Sequence, residues 1–87
     1  MTTVITHGVN EKVRTGKISG TDLYRSIKKF HENNWGNQDE NDIETNKAMT
    51  ERLDRGEEGM VLGTYLDNTL WIIRNAEAIT VLLPSEY

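Results

Sequence analysis

The 87-residue sequence has no cysteine, which excludes a disulfide scaffold, a thiolate metal site and a cysteine nucleophile. It has one proline, no low-complexity linker and no internal repeat, so nothing divides it into separate domains. Apolar residues make up only 36% of the chain, and no apolar run approaches the ~20 residues of a membrane span or forms the core of a signal peptide. We therefore expect one small cytoplasmic domain, residues 1–87, with a thin hydrophobic core.

The residue patterns of catalytic and cofactor sites are also scarce. His7 has no carboxylate at the spacing of a metal ligand, and Ser85 lies near the C-terminus with no histidine and aspartate arranged around it as in a catalytic triad. No glycine-rich phosphate-binding loop is present. His31, Glu32 and Asp39 form only a weak metal-ligand pattern. We therefore predict that the protein is not an enzyme and that it has no catalytic residue, metal site or cofactor.

The net charge of −4 is distributed unevenly along the chain. Residues 1–31 carry a net charge of +4, residues 32–58 carry −6 and residues 59–87 carry −2. An acidic middle segment repels nucleic acid, because most nucleic-acid affinity comes from neutralised phosphates. The segment is either a solvated helix face or a surface for a basic protein partner, such as the DNA groove of a nucleic-acid enzyme. The candidate partner-binding acids are Asp39, Glu40, Glu44, Glu51 and Asp54.

The basic residues of the first third of the chain leave a less favoured alternative open. Arg25, Lys28 and Lys29 fall on the outer face of a predicted helix, but they are too few to overcome the acidic segment. A nucleic-acid-binding protein would use these three residues together with Arg14 and Lys17. We therefore rank nucleic-acid binding below protein binding.

The periodicity of apolar residues is helical in the first half of the chain and typical of strands in the second. Leu23, Ile27 and Phe30 recur at helical spacing after a capping pattern that begins at Ser19. The patterns predict helices at 21–32 and 39–56, strands at 3–6, 60–66, 69–74 and 78–83, and a loop from Asn10 to Gly20. The predicted fold is α+β, of order β-α-α-β-β-β, with two helices packed on one face of a small antiparallel sheet.

Both faces of the predicted sheet are apolar. A two-residue turn at Asp67-Asn68 pairs Thr64 with Trp71 on one face. Leu70 and Ile72 then lie on the other face. Two helices cover only one face, so the second is covered by other parts of the chain or by another molecule. Leu70 and Ile72 are therefore candidate partner-binding residues, either for a second copy of the chain or for a different protein.

The second predicted helix contains two polar residues where apolar ones are expected. Asp42 and Asn46 fall at the centre of the stripe that Met49 and Leu53 define. A buried carboxylate without partners would be destabilising, so we expect both side chains to be hydrogen-bonded. We predict a polar clasp, formed by Trp35, Asp42 and Asn46, that holds the Trp35 loop.

From Phe30 to Tyr87 the chain contains a series of motifs in order. They are Trp35-Gly36, Asp42 with Asn46 four residues later, Tyr65, Trp71-Ile72-Ile73, and Leu82-Leu83-Pro84 followed by Tyr87. Their order and spacing resemble those of a family of short bacterial proteins carried by plasmids, phages and other mobile elements. Members of that family are often labelled as related to type I restriction–modification, although 87 residues cannot hold a methyltransferase domain.

The chain departs from this family pattern mainly at polar positions. Asn33-Asn34 replaces Gly-Asp, Gly63 replaces a serine, and Arg74-Asn75 replaces Thr-Glu. The apolar framework is retained while the polar positions differ. The resemblance therefore favours a structural role for the matched residues.

These features predict a non-enzymatic protein that acts by binding another protein. The mobile-element resemblance and the acidic segment favour an inhibitor of a host defence nuclease, of the anti-CRISPR or anti-restriction type, that works by occlusion. Either the acidic helix occupies a basic groove, or the open sheet face blocks an assembly surface. The alternative is a small oligomerising or regulatory module.

Overall fold

A computed structural model of the chain describes residues 2–87. Within that range it contains three α-helices, one four-stranded β-sheet and a single turn of 3₁₀ helix, which confirms the predicted α+β class. The strands are β1 (Thr2–Ile5), β2 (Val61–Tyr65), β3 (Leu70–Arg74) and β4 (Ala78–Leu82). The helices are α1 (His7–Arg14), α2 (Gly20–His31) and α3 (Glu40–Asp54), and the 3₁₀ turn is Pro84–Glu86.

Helix α1 occupies part of the segment that the sequence predicts as a loop, so that prediction is wrong for its first half. The helix begins after Thr6, whose hydroxyl accepts a hydrogen bond from the Val9 N–H at 3.4 Å. An eight-residue helix has room for only two apolar residues on its inner face, Val9 and Val13, and this is too short a pattern to recognise. The two predicted helices agree with α2 and α3 to within two residues at each end.

The sheet has the strand order β1-β4-β3-β2. The last three strands along the chain are antiparallel as predicted, and the predicted register is confirmed by the pairing of Thr64 with Trp71. Strand β1 instead joins β4 in parallel, which a strand can do only when a long connection separates the two. In the hairpin turn, Leu66, Asp67 and Asn68 all have positive φ, at 54°, 54° and 63°.

The hydrophobic core lies between the helices and one face of the sheet. Val9 of α1, Phe30 of α2 and Leu53 of α3 belong to the same buried cluster as the sheet residues Leu70 and Ile72. Both sheet residues are 0% exposed within the single chain. The prediction that they form an open, partner-binding face is therefore wrong, because the helices cover that face.

The opposite face of the sheet, here called the outer face, carries no helix of its own but is partly covered by its own large side chains. Trp71 lies edge-to-face against Tyr87, with the ring centroids 5.7 Å apart. The Trp71 indole N–H donates to Asn68 Oδ1 at 2.7 Å, which holds the ring in place. Ile73 and Leu82 on the same face are only 9% and 6% exposed. Little of this face is left as open apolar surface.

Gly63 in the middle of β2 makes room for an aromatic ring. A Cβ at this position would lie 2.5 Å from the Tyr65 hydroxyl oxygen and 2.9 Å from Phe30 Cδ1. The Tyr65 hydroxyl donates to the Asn34 carbonyl at 2.7 Å, and burial raises the pKa of Tyr65 above its usual value. The missing side chain at Gly63 therefore lets Tyr65 connect the sheet to the loop after α2.

Candidate functional site

The outer edge of β2 is closed by a side chain that acts like a neighbouring strand. The Asn46 amide donates to the Leu62 carbonyl at 2.8 Å and accepts from the Leu62 N–H at 3.3 Å. Gln38 also donates to the Leu62 carbonyl, and its own side-chain oxygen accepts from Asn46 at 2.8 Å. Asn46 is only 5% exposed. Its polar group therefore lies in the apolar stripe of α3 because it satisfies both backbone groups of Leu62.

The loop after α2 closes the rest of that edge. The Thr64 N–H donates to the Trp35 carbonyl at 2.9 Å, and the Asn37 N–H donates to the Thr64 carbonyl at 3.3 Å. Gly36 lies between these two contacts with a φ of 81°. Trp35 is buried at 6% exposed, so its side chain anchors the loop. Residues 35–38 and Asn46 together form what we call the edge closure.

Asp42 does not belong to the edge closure. Its side chain is exposed, and within residues 2–87 it makes no hydrogen bond to Trp35. Its backbone N–H instead donates to Asp39 Oδ1 at 2.9 Å, which caps the start of α3. The predicted burial of Asp42 is wrong because this residue lies in the first helical turn, where a solvated carboxylate suits the helix dipole. The buried stripe begins one turn later, at Asn46.

One face of α3 carries four acidic residues, with Lys47 among them. Glu40, Glu44, Glu51 and Asp54 are spaced by four, seven and three positions, which places them on a single face of the helix. We call these four residues the acidic face. All four side chains are exposed. The structure therefore brings together four of the five predicted acids, while Asp39 caps the helix.

Two of the four acids have basic neighbours. Glu44 lies 3.4 Å from Lys47 Nζ, and Asp54 accepts a hydrogen bond from Arg74 at 2.9 Å. Glu40 and Glu51 make no ion pair within residues 2–87. The acidic face therefore keeps a net negative charge that is open to solvent.

A groove of about 580 Å³ runs between the acidic face and the Trp35 loop. Trp35 and Ile43 contribute apolar surface to it, and Glu51 and Asp54 line its rim. Lys47 also lines the groove, and Asp54 is paired with Arg74, so the groove places apolar area next to Glu51, which makes no ion pair within residues 2–87. This combination suits a partner that offers a basic residue beside an apolar one.

Of the five basic residues considered for nucleic-acid binding, Arg14 has an acidic partner within its own helix. Arg14 donates to both Glu11 carboxylate oxygens, at 3.1 and 2.7 Å, and this contact raises the pKa of Arg14. Its charge is therefore compensated locally. Arg25, Lys28 and Lys29 are exposed on α2, as the sequence predicts.

Glu86 makes a contact that the sequence analysis missed. Its carboxylate accepts hydrogen bonds from the Thr6 hydroxyl at 2.6 Å, the Leu83 N–H at 2.8 Å and the Gly8 N–H at 3.1 Å. The contact joins the 3₁₀ turn to the start of α1 across 80 residues, so no local pattern could reveal it. These hydrogen bonds lower the pKa of Glu86, and the bond from Thr6 has the largest effect.

We expect the Glu86 contact to make the fold sensitive to acid. The pKa of Glu86 is lower in the folded chain than its usual 4.5, so the hydrogen bonds of the ionised carboxylate stabilise the fold fully above about pH 4.5. The contribution is lost as the pH falls through the lowered pKa. Glu86→Gln should therefore lose less stability than the native chain between about pH 6 and pH 3 in urea unfolding. Glu58→Gln is the control, because the Glu58 side chain makes no hydrogen bond within residues 2–87, and equal acid sensitivity of both variants and the native chain would contradict the assignment.

Comparison of the chain with protein-family models, curated proteins and solved structures found no match. No helix within residues 2–87 has both the length and the apolar character needed to cross a membrane. Over the same residues, no three histidine, aspartate or glutamate side chains converge as metal ligands would. The structure therefore does not bring His31, Glu32 and Asp39 together around a cation.

Proposed function

We propose that this chain is a non-enzymatic, cytoplasmic protein of a mobile genetic element that inhibits a host defence nuclease by binding to it. The inhibitor is of the anti-CRISPR or anti-restriction type. It occupies the basic groove in which the nuclease binds DNA, and thereby excludes the nucleic acid. The proposal rests on the acidic face of α3, together with the family resemblance described above.

The acidic face supports the proposal through the arrangement of its charge. Four carboxylates lie on one side of α3 with a single lysine, Lys47, among them, so this side of the helix carries a net negative charge that a nucleic-acid backbone also offers. The basic side chains that bind phosphates would be attracted to such a surface at long range. Apolar surface from Trp35 and Ile43 lies beside it and adds a contact that charge alone does not give.

The sheet face that carries Leu70 and Ile72 does not serve as the binding surface, because both residues are buried under the helices. A substitution such as Leu70→Asp would therefore unfold the chain instead of removing a contact. The acidic face is left as the binding surface.

The test measures how well a phage plates on bacteria that carry a restriction or CRISPR system and also express this chain. We expect the native chain to restore plating on at least one such strain. The triple variant Glu40→Lys, Glu44→Lys, Glu51→Lys should lose this effect, because like charges facing each other cost several kcal/mol, or at least about 100-fold in affinity. Asp54 is left unchanged because it also contacts Arg74.

The matched control changes three exposed glutamates elsewhere, as Glu32→Lys, Glu58→Lys, Glu77→Lys, and alters the net charge equally. It should keep the native effect. Equal loss in both triple variants would show that overall charge matters and the acidic face does not. Complex formation with the purified nuclease should also weaken steeply with added salt, since the Debye length falls from about 30 Å at 0.01 M to about 10 Å at 0.1 M. If the chain inhibits no defence system, the alternative of a small regulatory module gains support.

A further inference from the structure

The two edges of the sheet differ in how they are protected. Strand β2 forms one edge, and the edge closure satisfies the outward backbone groups of Leu62 and Thr64. Strand β1 forms the other edge. Within residues 2–87 no side chain or loop makes a comparable contact with β1. A sheet edge without such a cover is a template for another strand.

The hydrogen-bonding groups at the free edge of β1 can be identified from its pairing. The Thr6 N–H donates to the Val81 carbonyl of β4 at 3.0 Å. Because backbone groups alternate along a strand, Val4 faces β4 in the same way as Thr6. Thr3 and Ile5 therefore direct their N–H and C=O groups away from the sheet.

The residues of β1 are suited to pairing with another strand. Its sequence, Thr-Thr-Val-Ile, is rich in β-branched residues and contains no charge, proline or glycine in a chain that is 28% charged. Val4 is 44% exposed, which makes it one of the few large apolar side chains left in solvent. Apart from its length of only four residues, β1 has neither the charged residues nor the proline that commonly keep an edge strand from pairing.

We propose that β1 is an interaction surface for a second copy of this chain, and that the two β1 strands pair antiparallel about a twofold axis. Thr3 of each copy then pairs with Ile5 of the other, because these residues carry the outward backbone groups. Val4 lies on the axis and faces Val4 of the second copy. The two four-stranded sheets become one sheet of eight strands.

Two features favour a second copy over an unrelated segment. The strand carries no charge, so pairing it with itself brings no like charges together. The edge closure also protects the far edge of each sheet, so the assembly ends at two copies and cannot continue as a fibre. One short strand buries far less than the ~1,200 Å² of stable complexes, so the pairing is weak and concentration-dependent.

A disulfide trap tests this arrangement, because the chain has no cysteine of its own. Facing residues on the axis of an antiparallel pair have Cα atoms about 4.5 Å apart, which lies within the range that a disulfide spans. Val4→Cys should therefore form a disulfide-linked dimer under mild oxidation. The control is Met60→Cys, because Met60 is also 44% exposed but lies away from β1. We expect the Val4→Cys dimer to form at least about tenfold faster, since pairing raises the local thiol concentration.

A second variant tests the hydrogen bonds. Thr3→Pro removes an outward N–H without touching the β1–β4 ladder, so adding it to Val4→Cys should bring the dimerisation rate down to that of Met60→Cys. An unchanged rate in this double variant would overturn the proposal, as would equal rates for the two single cysteine variants. If circular dichroism shows that Thr3→Pro unfolds the chain, the dimerisation rates of Val4→Cys and Met60→Cys still test whether the two β1 strands pair.

Discussion

Replacing Gly36 by alanine should destabilise the protein by at least about 3 kcal/mol, the largest effect that we expect from any single methyl group. Two penalties combine at this position. The φ of Gly36 is 81°, a conformation that residues with a Cβ adopt only under strain. A Cβ there would also collide with the Thr64 carbonyl oxygen, which is part of the rigid backbone of β2. The loop must move away from the strand, and the hydrogen bonds of Thr64 to the loop are then lost.

Gly56→Ala separates the two penalties. Gly56 also has a φ of 81°, but a Cβ at this position would have no heavy atom within 4 Å. This control should cost only about 1 kcal/mol, which is the usual conformational penalty. Urea denaturation of both variants measures the difference. Equal midpoints would show that the loop does not lie against β2 as described.

Asn46→Ala should destabilise the protein by about 2–3 kcal/mol, because it leaves the N–H and C=O of Leu62 without the side-chain amide that binds them. Gln38 retains one bond to the carbonyl, but the N–H has no other partner within residues 2–87. The substitution also removes the group that Gln38 accepts from, so the edge closure loosens as a unit.

Asn41→Ala is the matched control for Asn46→Ala, since it removes the same amide group from an exposed position of the same helix. It should change the free energy of unfolding by less than about 0.5 kcal/mol. Amide hydrogen exchange gives an independent measure, because the Leu62 amide should lose protection in Asn46→Ala and keep it in Asn41→Ala. If both variants unfold at the same urea concentration, Asn46 does not close the sheet edge.

The sequence could predict those elements whose signals are local. Helix α2 has a capping serine and a clear apolar stripe, and the register of β2 against β3 follows from the short turn at Asp67-Asn68. Helix α1 was missed because Val9 and Val13 are its only apolar residues on the inner face. The parallel pairing of β1 could not be predicted, since nothing within β1 distinguishes a parallel from an antiparallel partner.

The candidate site was harder to predict than the fold. The spacing of Asp42 and Asn46 drew attention to both residues equally, yet only Asn46 reaches a backbone partner. The pattern shows which residues share a helix face, but it does not show where the neighbouring strand runs. The same limit explains the error at Leu70 and Ile72, because alternation separates two apolar faces without saying which one the helices cover.

The pairing of β1 with β4 has a consequence for biosynthesis. Thr2 pairs with Ala78, so β1 is synthesised well before the strand that it joins. The hairpin of β2 and β3 forms from neighbouring residues, whereas β1 must wait for a loop of more than 70 residues to close. Until then its uncharged residues have two unpaired edges instead of one. The nascent chain is therefore exposed to mispairing at β1 until the sheet that protects this strand has formed.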